Sequence, residues 1–283
     1  MQAFVNDSFL PIEKATLHVG DLAIQRGFGI FDFFRVQSHV PLYLKDYLDR
    51  FYKSASMMGL QGIMPRDQMR KVILELIARN NMAEAGIKMI LTGGYSPDAY
   101  TPVEGNFVIT QHGLSLPTAA QVASGIRIIT HEYRRDLSDA KTINYTMGVW
   151  LQKKVKERNA DDVLYHQDGV VSEFPRCNFF LITKDETVVT PSHHILHGIT
   201  RMKVLQAARE KFKVEERNVT LDDLKNAKEA FLTSTTKRIL PIIAIDDVPV
   251  GTGKPGAVTL TLTDLLSVIE RKEIEAYQQA LVK

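Results

Sequence analysis

The stretch Gly29–Val36, GIFDFFRV, places aromatic and β-branched residues at both odd and even positions, which predicts a strand buried on both faces. The period then changes. Between Lys45 and Leu60 the apolar positions Leu48, Phe51, Tyr52, Ala55 and Met58 fall on one stripe, predicting a helix with Arg50 beside that stripe. A second helix is expected from Arg66 to Asn81, followed by two apolar runs, IKMILT at 87–92 and NFVITQ at 106–111, that read as paired strands around the turn-rich GGYSPDAYTP. The segment His112–Ala120, HGLSLPTAA, mixes Gly, Ser and Pro ahead of the next strand, IRIITH at 126–131. Residues 1–112 are thus expected to form a small α+β domain and residues 113–120 a linker.

In residues 121–283 the pattern predicts a larger domain. A helix is expected from about Ile143 to Arg158, with Ile143, Met147, Trp150, Leu151 and Val155 on one face and Lys141 just ahead of it. Short strands follow at DVLYHQ, NFFLI and TVVT, then a helix from Thr200 to Phe212, a strand at EAFLTS and a C-terminal helix from near Thr263. Many short strands with few helices suggest a barrel-like core, so the fold class expected is α+β in two domains, the second carrying Lys141.

Composition narrows the chemistry. The 283 residues are 45% hydrophobic and 24% charged, enough apolar material for a core. Lys plus Arg number 35 against 33 Asp plus Glu, and no long run of one sign occurs, which argues against nucleic acid or a membrane surface as partner. The single cysteine, Cys177, closes no intramolecular disulfide, and one thiol with eight scattered histidines makes no zinc spacing, so no metal is expected. With neither a leader-like N-terminus nor a long apolar stretch, a cytoplasmic protein is the expectation.

Five local features remain: YLDRFY at 47–52, KTINY at 141–145, SEFPRCNFF at 172–180, ILHGITR at 195–201 and TSTTKR at 233–238. Taken singly, each has an ordinary reading as a surface charge, an N-cap or a polar strand end. In this order, and over about Ala15 to Ile245, they resemble the fold type IV pyridoxal phosphate enzymes, the class IV aminotransferases. That family includes branched-chain and D-amino acid aminotransferases and aminodeoxychorismate lyase. The resemblance implies pyridoxal 5'-phosphate carried by Lys141 with Asn144 close behind, and Glu173 holding the pyridine nitrogen in a pattern completed by Asn178, Phe179 and Phe180. It implies Leu196 against the cofactor ring, and Gly198, Ile199, Thr200, Thr235, Thr236 and Arg50 around its phosphate. Phe174 and Pro175 depart from the small residues expected after the glutamate.

The chemistry of these residue types agrees with such roles. Lysine is the side chain whose amine most readily becomes neutral when buried near other positive charge. A carboxylate beside the ring nitrogen keeps that nitrogen protonated, and a helix N-terminus offers free N–H groups to a phosphate. An arginine adds a planar, permanently charged fork.

Ping-pong transamination is therefore the expected activity. For the substrate, the arginine and histidine that trap the carboxylate in well-known D-amino acid aminotransferases are replaced here by Asp98 and Tyr100. Arg26 and Arg35 are alternative cations, Phe31 and Phe33 with Phe28 and Phe34 could line the pocket, and Tyr95 and Tyr100 lie on the loop 94–102. The Lys-x-x-Asn spacing and the segment DLAIQRGFGIFDFF resemble the D-amino acid aminotransferase and lyase branches more than the branched-chain branch, and the similarity is closest to a D-amino acid aminotransferase subgroup without the usual trap. Transfer between a D-amino acid of the D-alanine or D-glutamate type and 2-oxoglutarate is the reading preferred. Aminodeoxychorismate lyase is the runner-up, a branched-chain aminotransferase the third, and a noncatalytic member of the fold the alternative from another class. The resemblance also implies a homodimer, with the cofactor between the two domains and the loop 94–102 reaching the partner's pocket.

Overall fold

The computed structural model describes residues 1–282, which form two compact units. The first comprises Met1–Leu114, Ala140–Asn144 and the chain from Glu273 onward; the second comprises Ser115–Asp139 and Tyr145–Lys272.

The first unit is built on a six-stranded sheet. Its strands are β1 (Gln2–Val5), β2 (Ser8–Pro11), β3 (Gly29–Gln37), β4 (Val40–Pro41), β5 (Glu84–Thr92) and β6 (Phe107–His112), in the spatial order β2-β1-β6-β5-β3-β4. The short helix α1 (Leu22–Arg26) precedes β3, while α2 (Leu44–Met57) and α3 (Arg66–Asn80) lie between β4 and β5 in the chain. α2 buries Tyr47, Leu48, Phe51, Ser54 and Ala55, and α3 buries Met69, Val72, Ile73, Leu76 and Ile77, the helical stripes expected of amphipathic elements. β3 and β5 are antiparallel over their full nine residues, from Gly29↔Thr92 to Gln37↔Glu84. β4 covers only the far end of β3, at Val36 and Gln37, so the edge near Gly29 is open to another segment.

That segment is Ala140–Asn144. The Phe31 N–H donates to the Lys141 carbonyl at 2.9 Å, the Ile143 N–H donates to the Gly29 carbonyl at 3.0 Å, and Ile30 bridges Thr142. The expectation that residues 121–283 would carry Lys141 in one body differs from this grouping. The backbone groups at the edge of β3 recruit residues 140–144 to the first unit. The same pairing corrects the helix expected over 143–158. Residues 141–144 are not helical but pair with β3 through a bridge at Thr142, and helix begins as two short pieces, α5 (Thr146–Trp150) and α6 (Gln152–Glu157), which meet at Leu151.

The second unit holds a ten-stranded sheet. After α4 (Ala119–Ser124) come β7 (Ile126–Glu132), β8 (Asp162–Gln167), β9 (Val170–Val171), β10 (Asn178–Ile182), β11 (Val188–Pro191), β12 (Val214–Arg217), β13 (Val219–Thr220), β14 (Glu229–Ser234), β15 (Arg238–Ile245) and β16 (Val248–Pro249). The spatial order is β12-β11-β10-β14-β15-β7-β8-β9-β13, with β16 on β15. β12 and β13 stand at opposite ends of that order although only Asn218 separates them in the chain, so the sheet must curl back on itself. This is the nearly closed, barrel-like core expected of the second half. Its interior holds Ile128, Leu164, Phe179, Leu181, Leu232 and Ile242. The alternate residues Phe180, Ile182, Phe231 and Ile239 face outward under helices α7 (Ile199–Ala208) and α9 (Ala257–Val282). With both faces covered, β10 can be apolar at every position after Asn178. The remaining helix, α8 (Leu221–Asn226), is opened by a capping box between Thr220 and Asp223.

Candidate active site

The candidate residues fall into one set in each unit. In the first unit Lys141 is fixed through its backbone: its carbonyl accepts from Phe31, and its N–H donates to Oγ of Ser54, a residue 1% exposed on α2, at 3.1 Å. Its Nζ stands 4.7 Å from the centroid of the Phe31 ring, and Nζ of Lys88 stands 5.4 Å from the same centroid. Phe31 therefore lies against two amines, each attracted by the ring's negative face. Arg50 projects from α2 and is gripped by the fully buried Asp32 of β3, with Nε to Oδ2 at 2.9 Å and Nη2 to Oδ1 at 2.6 Å. The fork-on-fork geometry fixes the plane of the guanidinium.

The other first-unit candidates have separate surroundings. Phe33 covers Gly86 so closely that a Cβ there would stand 2.0 Å from its ring. Arg35 is buried and donates to Oε1 of Gln37 at 2.6 Å, whereas Arg26 is exposed at the end of α1 and donates to the Gln25 carbonyl. Tyr95 sits edge-on to His18, and its backbone bridges Asp21. Tyr100 is 78% exposed. Asp98 is the organiser of their loop: it accepts from Ser96 Oγ, from the N–H groups of Tyr100 and Thr101 and from the Thr101 hydroxyl. These bonds, the Thr101 N–H foremost, hold its carboxyl well below the usual carboxylate range.

In the second unit Glu173 is 3% exposed. Its Oε1 accepts from Nη1 of Arg135 at 2.7 Å and its Oε2 from the Leu196 N–H at 2.9 Å. Burial alone would lower the pKa of Arg135; the charge of Glu173 and the phenol of Tyr145 outweigh it and hold the guanidinium above its ordinary value. Asn178 bridges Glu173 through its backbone and donates from Nδ2 to the Leu196 carbonyl at 2.7 Å. The glutamate, the asparagine and the start of ILHGITR are thereby tied into one frame.

Gly198 caps α7, whose first intrahelical bond runs from the Met202 N–H to the Gly198 carbonyl. The N–H groups of Ile199, Thr200 and Arg201 therefore open the helix without an acceptor inside it. A Cβ on Gly198 would stand 2.1 Å from Oδ1 of Asn178, so only glycine fits there. Thr233 is the cross-strand partner of Asn178, which places both side chains on the face that α7 covers. Its hydroxyl is buried with no hydrogen-bond partner among the described residues. Thr235 and Thr236 form the turn that follows. A helix start with free amides, a glycine cradle and an orphaned hydroxyl fit an anionic group such as a phosphate. The buried carboxylate of Glu173 fits a protonated ring nitrogen.

Sequence reasoning missed Arg135, Asp32 and Ser54. The doubled arginine of YRRD and the aspartate inside an apolar strand were the available signals, since a charge in a buried run implies a partner.

These features agree with the family model for class IV aminotransferases, which matches residues 29–245. The chain belongs to that family. It is 31% identical to a D-alanine aminotransferase of Listeria monocytogenes and 29% identical to one of Bacillus licheniformis, covering 93% and 92% of this chain and 93% of each relative. The branched-chain aminotransferase of the archaeon Thermoproteus uzoniensis, solved with norvaline, shares the fold at a TM-score of 0.88 and 23% identity, over 98% of this chain and 97% of that one. A hypothetical aminotransferase from Mycobacterium tuberculosis, in its PLP-bound form, shares it at a TM-score of 0.82 and 20% identity, over 95% of this chain and 99% of that one. This class IV aminotransferase is a transaminase that depends on pyridoxal phosphate. Among the described residues no helix is long and apolar enough to cross a membrane, and no cluster of side chains could hold a metal ion.

Proposed function

We propose that the enzyme moves an amino group between a D-amino acid of the D-alanine or D-glutamate type and a 2-oxo acid, with 2-oxoglutarate as acceptor. The observation that carries this reading is the likeness, over more than nine-tenths of both chains, to relatives named D-alanine aminotransferases. In this reading Lys141 carries the cofactor and its amine shuttles the substrate proton. Glu173, steadied by Arg135, holds the ring nitrogen, and Leu196 covers the ring. Gly198, Ile199, Thr200, Thr235, Thr236 and Arg50 surround the phosphate, with Asn144 and Asn178 as supports.

Bound pyridoxal phosphate supplies an electron sink that makes the substrate Cα–H acidic. The protein's part is to remove that proton and return it from one side. Ser54 and the edge of β3 hold the Lys141 backbone, so the amine meets the proton from a set direction. Arg26, Phe31, Phe33, Arg35, Tyr95 and Tyr100 are proposed to shape the substrate pocket, completed in a homodimer by the partner's loop 94–102.

The test is steady-state transamination of D-alanine, D-glutamate and L-leucine with 2-oxoglutarate. A kcat/KM for either D-amino acid at least tenfold above that for L-leucine is expected. Preference for L-leucine overturns the reading in favour of a branched-chain enzyme, and release of 4-aminobenzoate from aminodeoxychorismate overturns it in favour of the lyase.

A further inference from the structure

A cavity of about 290 Å3 in the second unit has Arg134, Asp168, Val170, Val171, Ser172 and His194 in its wall. It stands at the small end of ligand pockets, with room for a molecule of amino-acid size. None of these residues belongs to the set assigned to the cofactor or to the reacting substrate. Two opposite charges face the cavity without pairing with each other. Arg134 is exposed and makes no hydrogen bond or ion pair among the described residues. Asp168 is at the tip of the β8–β9 hairpin, in the left-handed region at φ 51°, and its carboxylate accepts one long bond, from Nε2 of Gln167 at 3.4 Å.

A small anion would answer Arg134 but meet Asp168 as a like charge, and a small cation would do the reverse. An α-amino acid in its zwitterionic form carries both complements on neighbouring atoms. Its carboxylate takes two parallel hydrogen bonds from the guanidinium, its ammonium donates to the aspartate, and Val170 and Val171 give its side chain an apolar wall. The wall also runs into the frame around Glu173 at three places. Arg134 adjoins Arg135, whose Nη1 donates to Glu173; Ser172, 5% exposed, adjoins Glu173 itself; and His194 is two residues before Leu196, whose N–H donates to Glu173 Oε2.

We infer that this cavity is a second amino-acid site, separate from the one that reacts, and that its occupancy is felt at Glu173. Arg134 holds the carboxylate of the bound amino acid and Asp168 its ammonium. The link to Glu173 rests on the reading above, in which that carboxylate holds the ring nitrogen; the site itself does not.

The probe is L-proline, a zwitterion whose secondary amine cannot be transferred, with acetate as the carboxylate that lacks an ammonium. Wild-type, Arg134→Ala and Asp168→Asn holoenzymes are titrated with each by calorimetry. Wild type binds L-proline saturably and about tenfold more tightly than acetate. Arg134→Ala weakens both ligands about tenfold, whereas Asp168→Asn, which keeps a residue tolerant of the left-handed turn, weakens L-proline about tenfold and leaves acetate within about twofold. Without proline, kcat/KM for the preferred amino donor stays within about twofold in both variants. L-Proline shifts the visible absorbance band of the wild-type holoenzyme and leaves that of Arg134→Ala in place. Binding that fails to saturate in the millimolar range leaves two solvated surface charges and overturns the site. Acetate bound as tightly as L-proline overturns the zwitterion assignment, and L-proline affinity unchanged in Arg134→Ala places the probe elsewhere and overturns the site. Binding lost in Arg134→Ala with an unmoved wild-type band overturns the link to Glu173. A Glu173→Gln holoenzyme with the wild-type band overturns the ring-nitrogen reading and leaves the second site standing.

Discussion

At the scale of single residues, Lys141→Ala removes the one amine that the edge of β3 presents in this segment, so the variant incubated with pyridoxal phosphate should lack the visible absorbance band near ~400–420 nm that wild type shows. An equal band in the variant would place the cofactor elsewhere. Arg135 and Glu173 form a buried pair with side chains 9% and 4% exposed. Arg135→Ala leaves that carboxylate buried without its cation, a loss of about 3 kcal/mol in urea unfolding; a loss under about 0.5 kcal/mol would show that the Leu196 N–H suffices. Cys177 is the pH-sensitive case. Burial pushes its thiol from an ordinary value of 9.0 up to about 11. A group whose folded pKa is raised stabilises the fold below its unfolded value and loses that contribution as pH rises through the folded one. Wild type should therefore lose about 2 kcal/mol relative to Cys177→Ala between pH 9 and 11, and a constant difference across that window would contradict the burial argument.

At the scale of elements, the start of α7 offers the sharpest test. Gly198→Ala must displace the Asn178 carboxamide, which also anchors the Leu196 carbonyl. Affinity of the apoprotein for pyridoxal phosphate, followed by fluorescence, should fall about tenfold with far-UV circular dichroism unchanged, as one misdirected charge-assisted bond implies. Elements whose pattern is local were legible in the sequence. β3, α2, α3, β5 and β6 lie within a few residues of the spans expected, because each repeats its own apolar period. What was hidden depended on distant partners. The pairing of Lys141, Thr142 and Ile143 with β3 forms because β3 has an open edge, far away in the chain. α9 begins at Ala257, ahead of the Thr263 expected, because the Glu229 carboxylate accepts the N–H groups of Val258 and Thr259 and caps a threonine-rich turn that local propensity disfavours. The β1–β2 hairpin escaped notice because its strands are four residues each, joined by Asn6 and Asp7, with Asn6 in the left-handed region at φ 53°. The motifs of the site were readable as an ordered set, but the residues that hold them in place were not. Arg135 and Asp32 acquire meaning only beside Glu173 and Arg50.

At the scale of the molecule, the surface bears on assembly. Val149 and Trp150, adjacent on α5, are each 69% exposed, and Leu137, a few residues before Lys141, is 60% exposed. Tryptophan is among the residues most often buried on average, and exposed apolar groups near a site commonly mark an interface. α5 follows Lys141 directly, so a partner that covers Trp150 would also stiffen the segment bearing the amine. The homodimer proposed for this enzyme gives these side chains a cover and leads to a joint prediction. Sedimentation at micromolar concentration should give about twice the chain mass of 31.9 kDa, and Trp150→Glu should shift the enzyme toward monomer. Transaminase activity should fall with the dimer fraction and recover as protein concentration is raised, because assembly follows mass action while a local defect would not. A wild-type monomer with full activity would overturn the dimer. A Trp150→Glu enzyme that stays dimeric would move the interface away from α5, and a dimeric variant with low activity would assign the tryptophan to the site itself.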